Sequence, residues 1–242
     1  MSADEGPRST ATGPRLDSPG RIHRRKALTR DDMLRAALRI VDAEGVEALS
    51  MRRLGKALDR DPMRLYRHAP SKDALLDGIV ELVLSELRVS TMHDGNWEAT
   101  LRATAHAFRA IAVAHPNVVP LLVTRPLAAP LALRPRGTLR LLEDLLELLV
   151  GAGFDPDGAL HAYRLYFGFL QGHILNELQE RVHDPDETDD LLRLGLHHLP
   201  PREFARLRSL ASALASYDGA RELDEGLDIV LGGLRGQLAS AA

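Results

Sequence analysis

Met63, Arg64, Arg67 and His68, set between Asp61-Pro62 and Ala69-Pro70, are the residues of this 242-residue chain whose types and spacing could do chemistry on a partner. That chemistry is recognition of nucleic acid. A guanidinium donates paired hydrogen bonds to a guanine edge, and cations and hydroxyls hold phosphates. Asp61 can cap a helix whose first position is Pro62, where a missing N–H costs nothing. The residue before Pro70 disfavours the α region, so the helix is expected over Pro62 to His68, about two turns. A helix that short buries little beyond Leu65 and one side of Tyr66, which leaves its other side chains to a partner. Just upstream, Ser50 starts a helix whose Leu54, Ala57 and Leu58 are expected to pack inward, leaving Arg52, Arg53 and Lys56 to water or phosphate. Catalysis is not indicated. No nucleophile–base pair, metal-ligand cluster or phosphate loop stands out, and His68 has no second ligand at useful spacing.

Three helices must position these residues. Thr29 caps the first, with Asp32 three positions on closing a capping box. Met33, Ala37, Leu38, Ile40 and Val41 form its apolar face, and Gly45 suits the left-handed residue that stops it. Asp59 and Arg60 make the turn between the second and third helices. From Arg21 to Lys72 fourteen basic residues stand against seven acidic ones, a net +7 inside a chain whose total is −3. A basic head on an acidic body is the electrostatic footprint of nucleic-acid binding. Residues 1–26, with Gly6-Pro7, Gly13-Pro14 and Pro19-Gly20, have no hydrophobic face and read as a disordered arm. Its Arg21, Arg24, Arg25 and Lys26 either follow phosphates or an adjacent minor groove, or form a solvated charge cluster; the sequence leaves both open.

The rest of the chain reads as helix, so the fold class is all-α. Ser71 caps a connecting helix that carries Leu75, Leu76, Ile79, Val80, Val83 and Leu87. Further helices are expected over about 97–114, 136–150, 157–181, 202–216 and 222–239, with a short helical piece before Thr124-Arg125-Pro126. The proline-bearing segment 126–136 is expected to be a loop lining or covering something, and HDPDETDD to be a loop. There are no cysteines, which excludes disulfides and thiolate metal sites. No apolar run reaches the roughly 18 residues of a membrane span, and no signal-peptide core is visible, so a soluble, cytoplasmic protein is expected.

LSMRRLGKAL followed by DPMRLYRHAPSKDALLDGI resembles the tetracycline-repressor (TetR) family of transcriptional regulators. The resemblance is strong over about Leu28 to Leu87. It continues more weakly through HPNVVPLLVTRP, GAGFDPDGALHAYRLYFGFLQGHILNELQ and the last helix. One departure lies at the turn, where many members have Gly-Val and this chain has Asp59-Arg60: Asp tolerates the left-handed conformation, and the Arg60 stem must snorkel or the turn must open. The resemblance implies a three-helix helix-turn-helix DNA-binding domain at 27–72 and a larger helical ligand-binding and dimerisation domain at 73–242. Arg52 falls where an arginine can reach a guanine, Met63 and Arg64 where side chains meet base edges, and Tyr66, His68 and Lys72 where phosphates are held. Ser50, Met51, Pro62 and Arg67 complete the candidate DNA set. For Tyr66, partial burial against the first helix is an equal alternative.

By the same resemblance the chain is a homodimer on a palindromic double-stranded DNA operator, released by a small-molecule effector. Helices 157–181 and 222–239 would pair with their copies, bringing Leu227 and Leu231 to the second subunit. The implied pocket comprises Arg88, Thr104, Phe108, Leu121, Thr124, Arg125, Leu145, Tyr163, Phe167 and Asn176, with His173 and His106 as possible further donors by residue type. Tetracycline-binding members hold a drug-bound Mg²⁺ with a histidine and a glutamate where this chain has Leu121 and Asn176, and Leu145 replaces an expected glutamine. No metal and no cofactor is therefore expected. The alternative is a helix-turn-helix regulator without a small-molecule effector, controlled by a protein partner or constitutive.

Overall fold

Thr29 opens α1 (Arg30–Glu44) through a closed capping box: its Oγ1 accepts from the Asp32 N–H at 3.0 Å, and the Asp32 carboxylate accepts from the Thr29 N–H at 3.2 Å. The computed structural model describes residues 28–87, 96–128, 130–180 and 186–241. The expectations for the N-terminal arm and for Arg88 fall outside these residues. α1 buries Met33, Leu34, Ala36, Ala37, Leu38, Ile40 and Val41 and stops at Gly45, whose φ of +82° favours glycine.

Ser50 Oγ accepts from the Arg53 N–H at 3.1 Å and starts α2 (Met51–Leu58). The inward face of α2 is Met51, Leu54, Gly55 and Leu58, spaced at 0, 3, 4 and 7. Ala57 lies off that stripe and is exposed, contrary to the expectation, while Met51 is buried in the core. Asp59 takes the left-handed conformation (φ 50°, ψ 52°) and closes α2 onto the Gly55 and Lys56 carbonyls. The turn is tight. A Cβ on Gly55 would stand 2.8 Å from the Arg60 carbonyl oxygen and 3.1 Å from Pro62 Cγ.

α3 (Pro62–Leu65) is capped by Asp61, which accepts from the Met63 N–H at 2.9 Å. Its α-helical part is shorter than the two turns expected. Ala69 must be buried and precedes Pro70, so the chain tightens, with the His68 N–H donating to the Leu65 carbonyl at 2.8 Å. Ser71 then caps α4 (Lys72–Leu84), which packs on α1 and carries the core out of the head into the body.

The body comprises α5 (Trp97–Ala114), α6 (Val119–Ala128), α7 (Arg136–Gly151), α8 (Pro156–Gln179), short helices α9 (Asp190–Arg193), α10 (Ala205–Ser209) and α11 (Ala211–Ala215), and α12 (Gly219–Ala241). No strand occurs among the described residues. Three elements differ from expectation. α6 runs through Thr124-Arg125-Pro126 instead of ending before it. Asp189 accepts from the N–H groups of Leu191 and Leu192 and turns part of the acidic segment into α9. The helix expected over 202–216 begins at Ala205 and breaks at Leu210, where φ −101° and ψ 8° leave the helical region.

The body core closes around Tyr166 of α8, whose hydroxyl donates to the Leu101 carbonyl at 2.7 Å while burial pushes its ionisation far up. Leu223, Leu227, Leu231 and Leu234 of α12 pack inward with it. This corrects the expectation that Leu227 and Leu231 face a second subunit: the single apolar stripe of α12 is consumed within its own chain, and both leucines are 0% exposed. The outer face instead presents Ile229, 77% exposed, beside Gly232 and Gly233, where an added Cβ would meet nothing within 4 Å.

Candidate DNA-binding surface and effector cavity

The head turns a line of cations outward. Met63, 71% exposed, leads α3. Arg64 and Arg67 are exposed as well, as are Arg52 of α2 and Lys72 at the start of α4. Arg52, Arg64 and Arg67 make no ion pair among the described residues. The body contrasts: Arg102, Arg109, Arg125 and Arg235 each hold a carboxylate across helices, Asp228, Glu177, Asp77 and Glu98 respectively. Arg53 is likewise occupied, by Glu44. Tyr66 is 43% exposed and His68 half-buried. Ser50 and Asp61 cap the N-termini of α2 and α3, accepting from the Arg53 and Met63 N–H groups.

Inside the body a narrow cavity of about 40 Å³ opens to solvent between α4, α5, α6, α7 and α8. Phe108, Tyr163 and Phe167 form its aromatic wall, with Phe167 centred 5.1 Å from Tyr163 and 6.1 Å from Phe108. Leu84, Leu122, Leu131, Leu139, Leu141 and Leu142 supply the aliphatic surface, and Arg134, Thr138 and Gln171 the polar groups. Burial pushes the Tyr163 phenol up, and the positive charge of Arg134 opposes that shift.

Residues 33–79 match the bacterial regulatory proteins of the tetR family, and residues 91–238 match the tetracyclin repressor-like C-terminal domain. The chain belongs to the TetR family. As a TetR-family member it is a DNA-binding transcriptional regulator that acts as a dimer, with a helix-turn-helix head and a helical body. Among its relatives, the HTH-type transcriptional repressor DrrR1 of Streptomyces coeruleorubidus is 32% identical over 64% of this chain and 55% of its own, so the match spans little more than half of that repressor. The tetracycline repressor protein class C of Escherichia coli is 29% identical over 86% of this chain and 90% of its own. The crystal structure of the TetR family protein ActR of Streptomyces coelicolor in complex with actinorhodin superposes with a TM-score of 0.72 at 29% identity, covering 90% of this chain and 100% of that one.

Not all the residues expected at the two TetR-family sites lie there. In the head, Met51 is buried and Pro62 half-buried against α2; His68 is half-buried too, and the remaining candidates are exposed. In the body, Phe108, Tyr163 and Phe167 line the cavity. Leu121, Leu145 and Thr104 are core, and the Thr104 hydroxyl donates to the Thr100 carbonyl at 2.8 Å. Thr124 is exposed and donates to the Pro120 carbonyl at 2.7 Å. Arg125 reaches away from the cavity to α4: Nε donates to Asp77 at 2.8 Å, and its terminal nitrogens donate to the Asp73 carboxylate and carbonyl at 3.0 and 2.8 Å. It is a clamp between α6 and α4. His106 faces Asp224 on the surface.

His173 and Asn176 are displaced for one reason. At about 100° per residue, position 176 lies roughly 180° around α8 from Phe167, and Asn176 is exposed. His173 is buried beside Phe169, with Nε2 3.5 Å from a Glu177 carboxylate that also holds Arg109 through two hydrogen bonds. Burial lowers the His173 imidazole's affinity for protons, and the Glu177 charge resists that. The same periodicity could have found a missed residue. Gln171 stands four positions after Phe167 and eight after Tyr163 on one face of α8. Arg134 lies in the proline-bearing segment read as lining something, but no residue-type signal marked it.

Two joints tie body to head. The His115 ring lies 3.0 Å from both Asp42 carboxylate oxygens, and Asn117 donates to the Asp42 carbonyl at 3.0 Å. The Arg125 clamp on α4 is the second. α12 leaves Ile229, Gly232 and Gly233 without packing neighbours on its outer face, and α8 does the same at half-exposed Leu165 with Gly168 and Gly172, where an added Cβ would likewise meet nothing.

Proposed function

We propose that this TetR-family regulator is a cytoplasmic repressor, not an enzyme, held on a palindromic operator as a dimer and released when a small organic molecule fills the α4–α8 cavity. Arg64 and Arg52 read base edges; Tyr66, His68 and Lys72 hold phosphates and set register. The observation that carries the reading is the position of Leu84. It is the last residue of α4 and it walls the cavity, while the first residue of the same helix, Lys72, stands beside the recognition turn. Thirteen helical residues make a strut of about 20 Å between ligand and DNA. A ligand that binds more tightly when α4 is tilted out of its DNA-competent position necessarily weakens operator binding by the same factor.

The ActR complex with actinorhodin supports an organic effector. The residues lining the cavity include no aspartate, glutamate or histidine, which supports binding without a divalent ion. Footprinting of the full-length protein on DNA upstream of its own and neighbouring genes tests the proposal. A symmetric protected site should appear, and compounds that bind in calorimetry should erase it. A footprint that persists at saturating ligand would sink the release mechanism and favour control by a protein partner. Release by magnesium-tetracycline that a chelator abolishes would overturn the metal-free claim.

A further inference from the structure

The cavity wall carries one formal charge, and it is positive. Of the twelve residues lining it, Arg134 is the cation, and none is an aspartate or glutamate. Its field reaches the interior, because Arg134 favours the ionised form of the Tyr163 phenol across the cavity. In an apolar enclosure such a charge acts through a lower dielectric than in water, so an entering anion gains more there than at the surface. A guanidinium also offers a planar fork that fits a carboxylate with two parallel hydrogen bonds.

Two further groups point to oxygen on the ligand. The Thr138 hydroxyl, one turn of chain beyond Arg134, is buried without a hydrogen-bond partner among the described residues. Buried polar groups are rarely left so, and a ligand oxygen would satisfy it. Gln171 presents an amide from the opposite wall. Between them, Phe108, Tyr163 and Phe167 offer tilted ring faces for a flat body.

We infer that the cavity takes an aromatic oxyanion, a flat ring system whose acidic oxygens lie against Arg134 and whose further oxygen substituents reach Thr138 and Gln171. This rests on the reading of the cavity as the effector site and adds the charge and orientation of what fills it.

Calorimetric titration of the full-length protein with 2-naphthoate and with anthraquinone-2-carboxylate, each beside its uncharged carboxamide, tests the inference. The acids should bind about tenfold or more tighter than the amides. Arg134→Gln should erase that preference by weakening the acids and sparing the amides, and Arg134→Lys should restore part of it. Arg134 lies between elements and is half-exposed, so thermal melts should show both variants folded. Equal binding of acid and amide by the parent protein, or a preference that survives Arg134→Gln, overturns the inference. If the amides bind and Leu142→Trp, which fills the cavity, abolishes that binding, the cavity reading stands while the anion inference falls. Binding of neither acid nor amide by the parent overturns both.

Discussion

The DNA face of the head and the cavity of the body recognise their partners by opposite means. The head keeps Arg52 of α2, Arg64 of α3 and Arg67 just beyond it exposed, without carboxylate partners among the described residues, so an electrostatic, salt-dependent affinity for DNA is expected. In the body Arg102, Arg109, Arg125 and Arg235 hold carboxylates across helices, and the cavity presents leucines, three aromatic rings and a single arginine. The first site is formed from side chains left over by the core. The second is a gap in the core itself. Substitution on the head should therefore change binding and spare stability, whereas most substitutions around the body's core change stability first.

The largest effect that would break this contrast is in α12. Leu227→Asp places a charge at a position with no exposure and should remove more than about 3 kcal/mol of body stability, read as a collapsed melting temperature. Ile229→Asp, two residues on, should leave each subunit folded by circular dichroism yet separate the dimer in sedimentation, and operator affinity should fall with it. A Leu227→Asp protein that melts like the parent would contradict the packing described.

The head should behave otherwise. Arg64→Ala is expected to weaken specific operator binding by roughly 1–3 kcal/mol with the melting temperature nearly unchanged. Lys72→Ala should weaken all sequences alike and lower the salt slope by about one unit in a titration of affinity against ionic strength. Unchanged operator binding by both variants would mean that this surface is not the reader.

The joint between the regions should show an intermediate effect. Because all the Arg125 hydrogen bonds run to α4 and none to the cavity, Arg125→Ala should leave ligand affinity in calorimetry unchanged. It should reduce the ligand's effect on DNA binding by about 1 kcal/mol. Loss of ligand affinity in that variant would place Arg125 in the binding site after all.

The smallest effect concerns pH. Burial holds His173 below its ordinary value of 6.5, so the unfolded chain binds more protons than the folded one on acidification. Stability from this group is complete above about pH 6.5 and falls as pH drops toward the lowered folded value. Melts at pH 7.5 and 5.5 should differ less for His173→Phe than for the parent. Equal acid sensitivity in the two would show that the histidine is not the titrating group.

The head was legible because its geometry is decided within a few residues. Thr29 with Asp32, Ser50, Asp59 and Asp61-Pro62 each act on their own turn, and each does so in the structure. The exceptions, Ala57 exposed and Met51 buried, concern which neighbour lies across a helix, and that depends on α1. The cavity was less legible because an apolar residue type does not distinguish a core position from a cavity wall. Leu121 and Leu145 were expected in the pocket and are core, while Leu84 and Leu122 line it. Asn176 was placed by alignment with a polar position, although its spacing from Phe167 sets it on the far side of α8. The exposed outer stripe of α12 was hidden by the same ambiguity, since its leucines could have faced either a second subunit or their own chain.

Selection of duplexes from a random DNA pool by the full-length protein, in parallel with Arg64→Ala, tests the two-headed regulator most directly. The account predicts an enriched two-fold-symmetric motif with half-sites about 10 base pairs, or a multiple of that, apart, and relaxed preference at one matched position in each half-site for the variant. No enrichment, or an asymmetric motif that Arg64→Ala leaves intact, would contradict it.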